Sequence, residues 1–190
     1  AAKTDAWDLV ICFHPRPEDY FYPTKKQRCL MTPQQKSIAF QELGVKHYII
    51  LNFNKSLNET THQDFYEKYI CKILNASSIT IGENFLFGHN RLGSSKWLQD
   101  RGKVDNIEVN VMPFQKDTTQ NPINSTYIRK LLSIEGDVVK AKKLLNHHYF
   151  LQGKVIKGDQ LGRQLGFPTA NLGEIQQLIP KSGVYCGFVW

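Results

Sequence analysis

Four short apolar runs set the framework for the first part of the chain: "DLVICF" (8–13), "KHYIILNF" (46–53), "SSITIG" (77–82) and "NIEVNVMPF" (106–114). A short continuous apolar run suits a strand buried on both faces. Helix signals fall between the runs. Thr32 and Pro33 open one helix, as N-cap and first helical residue, and Gly44 closes it. Thr60 with Gln63 reads as a capping box, followed by Phe65, Tyr66, Tyr69, Ile70, Ile73 and Leu74 on one apolar face. "SSKWLQDRG" (94–102) reads as a third, short helix. This alternation predicts an α/β domain with a parallel sheet covered by helices. Two more helices are expected, one from Ser125 or Thr126. The other runs from an Asp137 N-cap to Leu145, with Val138, Ala141, Leu144 and Leu145 facing inward. Past His147 the pattern turns to "YFLQGKVIKGD" (149–159), strand-like and broken by glycine. Residues 1–147 and 148–190 are therefore expected to be separate domains, the second all-β.

Composition narrows the function classes. A hydrophobic content of 41% and an aromatic content of 12% can build a core, which excludes a disordered tail. No run approaches the ~20 apolar residues of a membrane span, so no membrane partner is expected. Net charge is +7, with 24 Lys and Arg against 17 Asp and Glu. That balance favours anionic partners, whether nucleotides, phosphates, nucleic acid or a membrane surface, and does not choose among them. The lysines are dispersed, with only "KAKK" (140–143) approaching a cluster, so no nucleic acid is expected. Cys12, Cys29, Cys71 and Cys186 lack metal or redox spacing. Cys12 and Cys71, in apolar runs, are expected as buried thiols of a cytoplasmic protein.

Chemistry concentrates in four stretches. "INSTYIRKLL" (123–132) offers Ser125, Thr126 and unpaired helix-start N–H groups to an anion, with Arg129 one turn on. An ordinary helix cap beside a surface arginine shares that pattern. "IGENFLFGHNRLG" (81–93) follows a strand directly, and Asn84, Phe85 and Phe87 suit a flat heteroaromatic ligand. Two core phenylalanines in a loop would look the same. "CFHPRPEDYF" (12–21) holds His14 and Arg16 near a strand end, or is merely a stiff loop. "GDQLGRQLGFPTANL" (158–172) spaces Gly158, Gly162 and Gly166 four residues apart, with Arg163 as a cation and Thr169 as a hydroxyl of the kind that ligates nucleotide-bound Mg²⁺. It is not a Walker loop, and a glycine-rich hairpin is the plain alternative.

Together these stretches resemble the bacterial bifunctional riboflavin kinase and FMN adenylyltransferase family, the prokaryotic FAD synthetases. "GRQLGFPTANL" (162–172) is similar to its flavokinase signature G-R-x-L-G-F-P-T-A-N-L, and "PKSGVY" (180–185) to the P-x-x-G-V-Y that follows. "GENFLFG" resembles G-x-[DN]-F-x-F-G, "INSTYIR" resembles I-S-S-T-x-I-R, and "CFHPRP" resembles T-F-x-P-H-P. The resemblance implies a Rossmann-like nucleotidyltransferase domain that joins the AMP of ATP to FMN, giving FAD, followed by the start of a flavokinase β-barrel that phosphorylates riboflavin. It implies Ser125, Thr126 and Arg129 on ATP phosphates, and Asn84, Phe85, Phe87 and Arg16 near the flavin. In the barrel it implies Gly158, Gly162 and Gly166 around ATP, with Thr169 and Asn171 on Mg²⁺ and nucleotide phosphates. Arg129 and Arg163 would be the catalytic cations.

Departures qualify the resemblance. The family's H-x-G-H motif has no counterpart in residues 1–190, nor has its kinase glutamate. Arg16 stands where the family has histidine, Asn124 replaces the first serine and Tyr127 a common arginine. A piece of a longer protein is expected, weak or inactive in both reactions by itself. One alternative is a kinase with a degenerate, flavin-binding first domain. Another is a basic flavin- or nucleic-acid-binding regulator. A homo-oligomer is compatible with either domain.

Overall fold

The first apolar run becomes a parallel partner of the second. The computed structural model describes residues 7–25, 28–158, 162, 166–167 and 169–189. Strand β1 (Leu9–His14) lies parallel to β2 (His47–Asn52), in register from Leu9 opposite His47 to His14 opposite Asn52. Helix α1 (Pro17–Phe21) leaves β1, and α2 (Pro33–Glu42) precedes β2. β3 (Ser78–Gly82) pairs with the later strand Glu108–Met112, again in parallel. The expected α/β class with parallel pairing is what forms.

The chain divides into two compact units, Ala1–Lys26 with Ala39–Gln115, and Gln27–Ile38 with Lys116–Trp190. In the first, α3 (Lys55–Glu59) is followed by α4 (His62–Phe65), which continues without a break as a π-helix over Tyr66–Ile73. The capping residue is Thr61 rather than Thr60. Its Oγ accepts from Asp64 N–H at 3.0 Å and donates to the Asp64 carboxylate at 2.7 Å. Thr60 terminates α3 instead, its hydroxyl donating to Ser56 O at 2.8 Å. Phe65, Tyr66 and Ile70 enter the core with Phe87 and Leu98. Ile73 stays 61% exposed, because the wider π turn carries it off the apolar face.

A two-stranded antiparallel ribbon, β4 (Leu86–Phe87) and β5 (Gly93–Ser94), stands where the sequence suggests only loop. Ser94 then caps α5 (Ser95–Asp105), accepting from Trp97 N–H at 3.1 Å, and β6 (Glu108–Met112) follows. The thiols of Cys12 and Cys71 are half-buried rather than buried. β1 is itself only half covered along its length, and Cys71 borders an open cleft.

The second unit opens with a reciprocal cap that the sequence only half reveals. Gln35 N–H donates to Thr32 Oγ at 3.2 Å, and Thr32 N–H donates to Gln35 Oε1 at 2.8 Å. Its core joins Ile128, Leu131 and Leu132 to Ala141. The first three come from α6 (Ser125–Lys130) and its continuation as a π-helix over Leu131–Glu135. Ala141 comes from α7 (Val138–Leu145), capped by Asp137 as expected, with Lys140 N–H at 2.8 Å. Val138, Leu144 and Leu145 pack on that cluster. β7 (Lys154–Ile156) and β8 (Asn171–Gly173) form an antiparallel pair, and among the described residues these are the strands beyond α7. Leu178 N–H returns to Cys29 O at 2.8 Å. Beside it, Gln35 and Gln177 are buried. With its amide turned to suit its neighbours, Gln177 accepts from Gln35 Nε2 and exchanges 3.2 Å hydrogen bonds with the Gln152 backbone.

Candidate nucleotide-binding and flavin-binding sites

In the first unit the aromatic motif sits where β3 and β6 end. Glu83 fastens the turn: its N–H donates to Met112 O at 2.9 Å and its Oε1 accepts from Phe114 N–H at 3.0 Å. Its carbonyl also accepts from Ser95 Oγ at 3.0 Å. Nothing in the motif singles Glu83 out, because its partners lie on distant elements. Asn84 is exposed in the turn. The rings of Phe85 and Phe87 stack at 5.5 Å with 16° between planes. Phe87 is a core residue, edge-on to Phe65 at 5.7 Å and Trp97 at 5.9 Å, while Phe85 is half-buried on top of it. Gly93 permits this, since a Cβ there would strike the Phe87 ring and His62.

Arg16 lies just after β1 and forks onto Asp19, at 2.8 Å through Nε and 2.6 Å through Nη2. That bidentate pair sets the guanidinium plane. The described residues of this unit also hold two clefts, of about 560 and 300 Å³. The larger is lined by Ala76, Ser77, Asn106 and Ile107, at the opposite ends of β3 and β6 from the aromatic motif.

In the second unit, Asn124 caps α6, accepting from Tyr127 N–H at 2.8 Å. Asparagine therefore does the capping work that the expected serine would do. Ser125 and Thr126 are exposed in the first turn, and Arg129 is half-buried one turn on. Sequence reasoning missed Asp117, whose side chain is only 3% exposed. Burial acts to raise its pKa. Hydrogen bonds from Thr119, Asn121 and Tyr127 outweigh that and hold the carboxyl well below the usual carboxylate range.

Gly158 and Gly162 of the glycine-rich stretch are fitted contacts. A Cβ on Gly158 would overlap the Asn171 amide, and one on Gly162 would overlap Phe167 O and crowd Thr169. Gly166 has φ +81°, a conformation that favours glycine. Thr169 and Asn171 are exposed. Their hydroxyl and amide oxygens are hard donors of the type Mg²⁺ takes. Arg163 lies outside the described residues. Among the described residues no three His, Cys, Asp or Glu side chains gather to hold a metal. None of the described helices is long and apolar enough to cross a membrane.

Parallel β-α units with a polar turn and aromatic stack at the strand ends define an α/β protein with a candidate ligand site at those ends. The chain belongs to the FAD synthetase family, whose model matches residues 1–127. A riboflavin kinase family model matches residues 145–190. Three curated relatives carry the name bifunctional riboflavin kinase/FMN adenylyltransferase. That of Bacillus subtilis is 35% identical over 181 residues, covering 93% of this chain and 55% of the relative. That of Escherichia coli K12 is 30% identical over 178 residues, covering 93% and 56%. That of Buchnera aphidicola is 30% identical over 183 residues, covering 96% and 58%. The chain thus spans little more than half the length of these relatives. A crystal structure described as a macrolide-efflux protein from Streptococcus pneumoniae is 28% identical, with a TM-score of 0.77 over 93% of this chain and 57% of that one.

Proposed function

We propose that the protein makes FAD from riboflavin in two ATP-dependent steps, with residues 1–147 serving adenylyl transfer and 148–190 opening the kinase domain. The observation that carries this reading is the tandem order of the two family matches, FAD synthetase and then riboflavin kinase. In the kinase step the terminal ribityl hydroxyl attacks the γ-phosphorus of ATP, loses its proton and displaces ADP. In the second step an FMN phosphate oxygen attacks the α-phosphorus of a second ATP and displaces pyrophosphate. Both steps require donors and cations set around a phosphoryl group in advance.

Ser125 and Thr126 would hold ATP phosphates for the second step, with Arg129 as the cation. Phe85, stacked on the core ring of Phe87, would present an aromatic surface to the isoalloxazine, beside Asn84 and Arg16. Thr169 and Asn171 would hold Mg²⁺, which when bound neutralises charge on the β- and γ-phosphates. Gly158 and Gly162 leave the room that these two side chains occupy. Gly166 and Arg163 would join them in holding phosphate. Cytoplasmic residence suits the four free thiols.

Incubation of the full-length protein with riboflavin, ATP and MgCl₂, followed by chromatography, is expected to yield FMN and then FAD. Absence of both products sinks the proposal. One observation favours a second reading, kinase only: the Arg16 fork is engaged by Asp19. FMN accumulating without FAD selects it.

A further inference from the structure

Asp117 is a buried carboxylate that neither proposed step uses. Moving an ion out of water is costly unless hydrogen bonds replace its hydration. Here the replacement is full, and it is divided between the two oxygens. Oδ1 accepts from Thr119 N–H at 2.9 Å, Thr119 Oγ at 2.8 Å and Asn121 N–H at 2.9 Å. These bonds wind residues 117–121 into a closed turn, which Asp117 N–H reinforces by donating to Asn121 O at 2.9 Å. Oδ2 serves other elements. It accepts from the Tyr127 hydroxyl on α6 at 2.9 Å and lies 3.4 Å from Lys140 Nζ on α7. Lys140 also sits over the Tyr127 ring, 5.3 Å from its centroid. A turn alone would need only Oδ1, and an aspartate at the surface could supply that.

Tyr127 follows Thr126 and precedes Ile128, which is 3% exposed in the core. Successive side chains on a helix point about 100° apart. The helix is therefore gripped on two faces, by apolar packing at 128 and by Asp117 at 127. Two such grips fix its rotation, and with it the direction of Ser125, Thr126 and Arg129.

We propose that Asp117 is a positioning residue for adenylyl transfer: acting through Tyr127 and Lys140, it sets the rotation of the helix that carries the ATP-phosphate residues. The inference rests on the reading of Ser125, Thr126 and Arg129 given above.

The test compares the protein with its Tyr127→Phe and Asp117→Asn variants. Tyr127→Phe keeps the ring and deletes only the hydroxyl's hydrogen bonds, to Asp117 at 2.9 Å and from Asn121 at 3.5 Å, so it folds even if Asp117→Asn does not. Four quantities are read: KM and kcat for ATP in FAD formation, KM for ATP in riboflavin phosphorylation, and amide exchange of peptide 123–131 with and without ATP. The expected result is a KM for adenylyl transfer raised about threefold to tenfold, the scale of one misaligned charged hydrogen bond. Alongside it, kcat should stay within about twofold, kinase KM should be unchanged, and ATP-dependent protection of the peptide should be lost. Variants that keep both protection and KM overturn the inference while leaving the function standing. Wild-type protein that shows neither protection nor FAD removes the site reading, and the inference falls with it.

Discussion

A single carboxylate with four hydrogen-bond donors and a lysine beside it titrates unlike one in water. In the folded chain the pKa of Asp117 lies below its unfolded value, so its contribution to stability is complete above the ordinary aspartate pKa of about 3.9. It is lost as pH falls below that value towards the folded pKa. Denaturant midpoints measured against pH should therefore show wild type and Asp117→Asn separated by a constant gap above about pH 5, closing between about pH 4.5 and pH 2. Parallel curves across that range would contradict the assignment. Asp117 was not legible in the sequence, since two of its partners, Tyr127 and Lys140, come from helices and meet it only through the fold. The Phe85 and Phe87 pair was legible as a motif, but not the division of labour within it. That division is set by Trp97, His62 and the missing side chain of Gly93.

Helix starts were readable wherever the capping residue stood alone. Pro33 after Thr32 and Asp137 before α7 both mark real starts. The Thr60–Thr61 pair defeats local reading because α3, too short to announce itself by periodicity, takes the first threonine as its own terminator. This distinction can be measured. Thr61→Ala should destabilise the protein by about 1 kcal/mol, the usual value of an N-cap. Thr60→Ala, on an exposed hydroxyl, should stay within about 0.5 kcal/mol in denaturant unfolding. Equal losses would restore the first threonine to the cap. The π-helical stretch over Tyr66–Ile73 was likewise hidden, since six apolar residues fit an ordinary helical stripe equally well.

At the scale of the molecule, parallel pairing was legible because it follows from alternating β and α segments. What the alternation did not reveal is that residues 27–38 pack with residues 116–190. Gln35, Gln177 and Gln152 are part of that packing, and each amide there depends on the next. Gln35→Ala leaves the Gln177 amide buried short of a partner. That loss should cost about 1–3 kcal/mol in the unfolding free energy. A change below about 0.5 kcal/mol would mean that water replaces the lost amide.

The same glutamines constrain how such a protein can be recombined. Splicing at residue 147, where the sequence changes character, would transplant residues 148–190 together with the side chain that satisfies Gln35. A shuffled gene would inherit an unmatched amide unless its new segment brought a hydrogen-bonding residue to the position of Gln177. Exchange between lineages is therefore expected to succeed best where position 35 and position 177 travel together.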